Sequence, residues 1–339
     1  MVPALSTSVV VVAHRAGAAL GRCLDSLERQ DADLEILVVD NGAEDGEIAD
    51  AAARDRVRVV GTGENLGFAG GCNAGAWASH GEVLVFLNPD TVAGDGAIDA
   101  LATTLEDPAI GVAMARLRLL DAPTLLNSRG NVLHVAGFAW VGGHGEPVET
   151  APELRDVPSA SGAALAVRAD LFRELGGFTE ELFLYGEDVE LAWRARLRGL
   201  RVVMDPRADV FHDYEFTRNA GKHYFLERNR LVFVLSAFSA RTLALLWPVL
   251  VAAEIGTSVL AVRERWLREK AAGWTWLVRH LRWLARHRRE TQALRRVRDR
   301  ELAPYLTPVL DPAVIALPAG LGAVNRLLSA YWAVARRAL

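Results

Sequence analysis

The sequence predicts an α/β domain built on a mostly parallel sheet flanked by helices, followed by a helical C-terminal region. Three observations carry that prediction. Short β-branched runs alternate with helical periodicities over the N-terminal part of the chain, the pattern of a parallel sheet wrapped by helices. Each of these runs closes on a polar or glycine-containing turn. Beyond Lys222 the strand pattern gives way to helical spacing and one long apolar run, Leu243–Val262.

The elements follow in order. Ser8–Ala13 is a continuous apolar run ending at His14-Arg15, the signature of a strand buried on both faces. Leu20, Leu24 and Leu27 give Ala18–Arg29 its helical spacing, and Leu34–Val39 is the next strand, closing on Asp40-Asn41-Gly42. A polar helix over Asp45–Arg54 leads to the strand Val57–Val60; the glycine-rich Gly61–Gly75 then runs into a helix around Ala74–Ser79. Glu82–Leu87 is a fourth strand, ending on Asn88-Pro89-Asp90. Asp121–Pro158 breaks into scattered Gly, Pro and His and reads as a loop-rich excursion with a hairpin near Val132–Val141. Regularity returns at Ala160–Arg168, followed by helices at Ala169–Leu175 and Asp188–Leu197, a strand at Arg201–Met204, and Val210-Phe211-His212. The domains expected are 1–220, divided near 120 into a donor half and an acceptor half, and a helical region over 221–339.

Composition narrows the function. The 339 residues suffice for a full α/β core and a second region. A net charge of -4 gives no overall case for nucleic acid. Cys23 and Cys72 are the two cysteines, without metal or redox spacing, and read as reduced thiols. Met1–Ser8 carries no charged leader and Val9–Ala13 is too short for a signal peptide or a span, so the catalytic part is expected in the cytoplasm.

Ligands of open parallel sheets bind beyond the carboxyl ends of the strands, where Asp40 and Asp90 both fall. Asp90 there offers oxygen to a hard cation. Asn-Pro-Asp and Asp-Asn-Gly are also ordinary turn sequences. Glu187-Asp188 opens a helix after the aromatic lead-in Leu182–Gly186. Carboxylates are favourable at a helix N-terminus for structural reasons alone, yet two adjacent ones beside apolar rings also suit a general base.

The ordered set of motifs resembles glycosyltransferase family 2, its rhamnosyltransferase-like branch in particular. Asn65-Leu66-Gly67-Phe68-Ala69-Gly70-Gly71-Cys72-Asn73-Ala74-Gly75 carries the likeness. So do Val38–Asn41, Leu87–Asp90, Ser161-Gly162-Ala163 with Arg168, Gly176-Gly177-Phe178, and Phe183–Leu191 with Arg194; His212 and Arg228-Asn229-Arg230 follow. The likeness spans roughly Ser8 to Arg230. It implies a GT-A fold, a nucleoside diphosphate sugar as donor, and inversion at the anomeric carbon. The donor side so implied comprises Ala13, His14, Asp40, Asn41, Asn65, Gly67, Asn73, Asn88 and Asp90, with Asp40 reading the base or ribose. Asp90 and His212 would hold Mg²⁺ or Mn²⁺. Asp188 would be the base, with Glu187 supporting it; Gly162, Ala163, Tyr185 and Arg194 would lie toward the acceptor. The family's Asp-x-Asp begins here with Asn88, which supplies no charge, and Glu190 stands where Asp is common.

The branch favours dTDP-rhamnose and a glycan or polyprenyl-linked acceptor; other UDP-, GDP- or dTDP-hexoses use the same frame. The C-terminal mix of Trp274, Trp276 and Trp283 with Arg279, Arg282, Arg286, Arg288 and Arg289 suits a membrane interface. A second amphipathic stretch contains Leu327, Leu328, Trp332 and Val334. The expectation is peripheral attachment to the cytoplasmic face of the inner membrane, with soluble packing or homodimerisation, and a true span, as alternatives. A nicotinamide dehydrogenase is disfavoured because the first strand runs into Ala13-His14-Arg15-Ala16-Gly17 rather than a Gly-x-Gly-x-x-Gly turn. A non-catalytic scaffold is disfavoured because Asp90 and Glu187-Asp188 are both present.

Overall fold

The computed structural model describes residues 5–31, 33–148, 153–213, 221–311 and 321–339. The boundary expected at residue 220 lies outside them. The chain forms two compact units, one over 1–131, 141–195 and 200–216 and the other over 132–140, 196–199 and 217–339.

The first unit is a ten-stranded mixed sheet covered by helices. Its chain order is β1 (Thr7–Ala13), α1 (Ala18–Glu28), β2 (Leu34–Asp40), α2 (Asp45–Ala52), β3 (Val57–Gly61), α3 (Gly67–Ala78), β4 (Val83–Leu87), β5 (Thr91–Ala93), α4 (Ala97–Thr104) and β6 (Ile110–Leu119). Then come β7 (Leu126–Ser128) and a separate two-stranded hairpin of β8 (Asn131–Leu133) and β9 (Ala139–Val141), most of which belongs to the second unit. β10 (Arg155–Asp156), β11 (Ala164–Arg168), α5 (Ala169–Leu175), α6 (Glu187–Leu197) and β12 (Arg201–His212) follow. The sheet runs β10-β12-β6-β11-β4-β1-β2-β3, with β5 on β12 and β7 on β6. β3, β2, β1 and β4 are mutually parallel, and β11 enters antiparallel between β4 and β6. Parallel strands covered on both faces must be apolar throughout, and Val9–Val11, Ile36–Val39 and Val83–Phe86 have essentially no exposed surface.

Two departures from the sequence reading have physical causes. The glycine-rich segment is itself helical from Gly67 onward, so α3 starts well before Ala74. Its glycines serve packing: a Cβ at Gly71 would lie 2.7 Å from Val12 Cγ1, and one at Gly75 would run into Val10. β6 had no counterpart in the sequence pattern, because Gly111, Ala113, Ala115 and two arginines dilute its apolar signal.

The second unit is helical: α7 (Lys222–Ala237), α8 (Ala240–Arg263), α9 (Leu267–Arg279), α10 (Leu281–Ala293), the single turn α11 (Asp299–Leu302) and α12 (Leu321–Ala335). Ser239 caps α8, its hydroxyl accepting from the Thr242 N–H at 3.0 Å. Buried charges here are paired: Lys270 Nζ contacts Glu227 and lies 3.3 Å from Glu254, which also meets Arg230.

Candidate active site

Three strand ends lie side by side at one edge of the sheet: Ala13 pairs with Asp40, and Val11 with Leu87. Asp40 Oδ1 accepts from the N–H groups of Gly42 and Ala43, both at 3.2 Å, which fixes the turn and leaves the carboxylate at the edge. Asn41 is buried and knots this side together. Its Nδ2 donates to Gly67 O at 3.0 Å and Asn65 Oδ1 at 3.2 Å, and its Oδ1 accepts from Leu66 N–H at 2.8 Å. Asn41 O meets His14 Nδ1 at 3.0 Å, and Ala13 O accepts from Asn41 N–H. Ala13, His14, Asp40, Asn41, Asn65 and Gly67 therefore form one patch, with His14 and Asn65 open to solvent.

Gly67 joins that patch to the loop before Glu187. At φ +73° its backbone favours glycine, and a Cβ would collide with Phe183. Phe183 and Tyr185 have positive φ (64° and 70°) without being glycine, so this loop stores strain of about 1–3 kcal/mol per residue. Tyr185 is half-buried in it.

Asn88, Pro89 and Asp90 follow β4. Asn88 O accepts from the Thr91 hydroxyl at 2.7 Å and Asn88 N–H donates to Ala163 O at 3.0 Å. Asp90 Oδ1 lies 3.3 Å from His212 Nε2 and is otherwise buried without a hydrogen-bond partner among the described residues. Two ligands on one six-coordinate cation at about 2.1 Å sit about 3 Å apart, so the pair fits a shared divalent ion. No group of three or more His, Cys, Asp or Glu suited to a metal occurs among the described residues. His212 Nδ1 lies 3.0 Å from Asn127 Oδ1.

On the other flank stands Asp188 at the start of α6. Its Oδ2 accepts from Gly162 N–H at 2.8 Å and Asn131 Nδ2 at 3.3 Å, and its Oδ1 from Val189 N–H at 2.7 Å. Burial pushes the Asp188 carboxyl up, opposed by these donors. Burial and the charge of Asp188 push Glu187 up as well, and Glu187 is 5% exposed with Oε2 lacking a hydrogen-bond partner among the described residues. Of the two, Glu187 keeps the proton, because Asp188 has three donors and partial access to solvent. Gly162 and Ala163 thus link Asp188 to the Asn88 turn through adjacent peptides.

Two expected residues lie behind the site. Asn73 is buried and ties α3 to the following turn: its Oδ1 accepts from Phe178 N–H and its Nδ2 donates to Phe178 O. Arg194, 5% exposed, is paired with Glu190 at 2.7 Å and donates to Leu175 O and Gly177 O. Its charge is thereby spent on the Gly176-Gly177 turn, inside the fold. Asn127 and Asn131 went unrecognised in the sequence, since asparagines in an irregular stretch look like turn residues. Both cysteines are free and buried, with Cys23 pushed up to about 12 by burial.

Comparison with known proteins decides the family. The Glycosyl transferase family 2 model matches residues 8–176. The N-acetylglucosaminyl-diphospho-decaprenol L-rhamnosyltransferase of Mycobacterium tuberculosis is 33% identical over 235 residues, 60% of this chain and 75% of that protein. The chain belongs to glycosyltransferase family 2. This transferase is also 28% identical to the pre-mycofactocin glycosyltransferase of the same organism over 209 residues, 61% of this chain and 42% of that one. Among solved structures, GalNAc-T7 with UDP, GalNAc and Mn²⁺ matches at a TM-score of 0.60 and 18% identity, covering 70% of this chain and 48% of that one. S. aureus TarS matches at 0.54 and 16% identity, over 98% and 55%. These neighbours show that the transferase has the GT-A fold, and its family makes it a nucleotide-sugar glycosyltransferase.

Proposed function

We propose that this transferase moves L-rhamnose, with inversion, from dTDP-rhamnose to a polyprenyl-diphosphate-linked sugar in the synthesis of a cell-envelope polysaccharide. The observation that carries the mechanism is the Gly162-Ala163 link, which holds the Asp90–His212 pair and Asp188 on two flanks of one loop. The rhamnosyl donor and lipid-linked acceptor are supported by the 33% identical relative, whose name specifies both the sugar and a decaprenol diphosphate.

The patch around Asp40, Asn41 and Asn65 receives the nucleoside. Asp90 and His212 would hold Mg²⁺ or Mn²⁺, which neutralises the negative charge of the leaving diphosphate. Asp188, ionised, accepts the proton of the acceptor hydroxyl while that oxygen bonds to the anomeric carbon on the face opposite the departing diphosphate. Glu187 stays protonated and shields Asp188 from a second charge.

Asp188→Asn should abolish transfer with dTDP binding intact, and Asp90→Ala should weaken dTDP binding in Mn²⁺ at least tenfold, read by calorimetry. Transfer from dTDP-rhamnose at the wild-type rate by Asp188→Asn sinks the base assignment; preference for a UDP- or GDP-hexose sinks the donor.

The lipid-linked acceptor gives α8 a role. Its 24 residues are long and apolar enough to cross a membrane, yet Glu254 at mid-helix is engaged by Arg230, Lys270 and Trp274 within the helical unit. One side of α8 is thus committed to protein, and the other, with Trp247, Val251, Ile255 and Val259, is exposed. That arrangement favours lying in the plane of the cytoplasmic leaflet over spanning it.

A further inference from the structure

Five residues of one segment reach both flanks of the site. Asn127, at the middle of β7, is 1% exposed and faces His212; Asn131, at the start of β8, is 8% exposed and faces Asp188. Between them Ser128, Arg129 and Gly130 make a tight bend. Gly130 N–H donates to Ser128 Oγ at 3.1 Å, and Gly130 has φ +118° with no room for a Cβ against Val157. The bend is pinned on both sides: Arg129 N–H donates to Gly142 O at 3.0 Å and Asn131 N–H to Ser159 O at 2.8 Å. Burying two primary amides is costly unless their groups are paired; both N–H groups of Asn131 Nδ2 are engaged, whereas Asn127 is paired through Oδ1 and its Nδ2 has no hydrogen-bond partner among the described residues.

Each amide has a defined task. Asn131 Nδ2 carries two protons; one goes to Ala160 O at 2.9 Å and the other points at Asp188 Oδ2 at 3.3 Å. The carbonyl of residue 160 thereby fixes the amide plane, and the amide supplies the side-chain donor that joins two backbone donors on the carboxylate. Asn127 Oδ1 lies 3.0 Å from His212 Nδ1, and as an acceptor there it favours the neutral tautomer protonated on Nδ1, whose Nε2 lone pair faces Asp90 Oδ1 at 3.3 Å. In that tautomer the two atoms are both acceptors, and a cation between them relieves their repulsion; a protonated imidazole would instead donate to Asp90 directly.

We propose that Asn127 and Asn131 are the positioning residues of this site, Asn127 setting the tautomer and direction of His212 and Asn131 orienting and ionising Asp188. This rests on the reading of Asp188 as base and of Asp90–His212 as the cation end. The Asn127–Asn131 segment then sets both ends of the transfer from one rigid bend, which is why two asparagines rather than one lie buried in a stretch that looks like a loop.

Each asparagine has its own readout. For Asn131, kcat is measured against pH with dTDP-rhamnose and polyprenyl-diphospho-N-acetylglucosamine. Loss of a donor raises the base's pKa, so the acidic limb of Asn131→Ala should move to higher pH by roughly half to one unit, with kcat down about tenfold and the donor KM unchanged. Asn131→Asp, nearly isosteric, should move the limb further by adding a like charge. A purely packing role would lower Tm and leave the limb in place, and that result in both variants overturns the assignment. For Asn127, Mn²⁺ binding is titrated by electron paramagnetic resonance with dTDP present. Asn127→Leu should weaken Mn²⁺ about 10–100-fold, while Asn127→Asp, which keeps the acceptor, should restore binding. Equal Mn²⁺ affinity in wild type and Asn127→Leu, or failure of Asn127→Asp to rescue in a folded protein, overturns it. Asp188→Asn and Asp90→Ala run alongside: if those are wild-type, the underlying reading has failed, whereas if they are inactive and the asparagine variants show no shift, only the positioning role has failed.

Discussion

At the scale of single residues the site depends on backbone as much as on side chains. Gly67 is the sharpest case: its positive φ and its contact with Phe183 leave no place for even a methyl group. Gly67→Ala should cost at least about 2 kcal/mol, adding a strained φ to an overpacked contact. Urea unfolding checks the value, and a loss below about 0.5 kcal/mol would show that the Phe183 loop moves freely. The loss of dTDP affinity should exceed the loss of stability, because Asn41 Nδ2 donates to the Gly67 carbonyl and Oδ1 of Asn65 accepts from its N–H. The sequence made much of this legible, since Asn65-Leu66-Gly67-Phe68 and Phe183–Asp188 each carry a recognisable order of residue types. What it hid were pairings across the chain. Nothing local distinguishes Asn131 from a turn asparagine, and Arg194, expected toward the acceptor, is seen only in the structure to be enclosed by Glu190 and two carbonyls.

At the scale of elements, the clearest sequence signals belong to strands buried on both faces. β1, β2 and β4 carry the apolar runs Val9–Ala13, Ile36–Val39 and Val83–Leu87, and their ends place Ala13, Asp40 and Asn88 along one edge. β6 was hidden because its small residues and arginines obey no simple period. The helix α8 was legible by length but ambiguous by role, since an apolar run alone does not say which side meets protein. The structure divides it into a face holding Thr242, Leu246 and Val249 and a face exposing Trp247, Val251, Ile255 and Val259. Exposed arginines at Arg263, Arg265, Arg268, Arg282 and Arg286 lie in the same unit, matching an anionic lipid surface. Replacing Val251 and Ile255 with Glu should cut binding to phosphatidylglycerol vesicles by tenfold or more without lowering Tm, and wild-type binding should fall with added salt. Salt-insensitive binding, or a change from dimer to monomer in the double variant, would assign this face to another copy of the chain instead.

At the scale of the whole molecule the two units should respond differently to acid, because their perturbed groups titrate in different ranges. In the helical unit His134 is 1% exposed, and burial with the nearby Arg230 guanidinium holds its pKa down to about 4. His223, stacked on Trp266, is also held low, by partial burial and Lys222. An imidazole in the unfolded chain titrates near 6.5. Between about 6.5 and 4 the unfolded chain takes up a proton that folded His134 declines, so its contribution is full above 6.5 and is lost as pH falls. The loss approaches about 3 kcal/mol at the low end for His134 alone. In the sheet unit Glu35 shows the opposite kind of protection. Burial disfavours its charge, but hydrogen bonds from Ser8, Arg58 and His80 outweigh that and hold it near about 2. Its contribution stays intact until pH drops below about 4.5. Acidification from pH 7 to 5 should therefore loosen the helical unit while the sheet unit holds. Hydrogen exchange should show faster exchange in α7 and α9 with β1, β2 and β4 unchanged. His134→Gln should flatten that response by removing the titrating group. Simultaneous loss in both units, or an unchanged slope in His134→Gln, would place the acid sensitivity elsewhere and make the two units a single cooperative body.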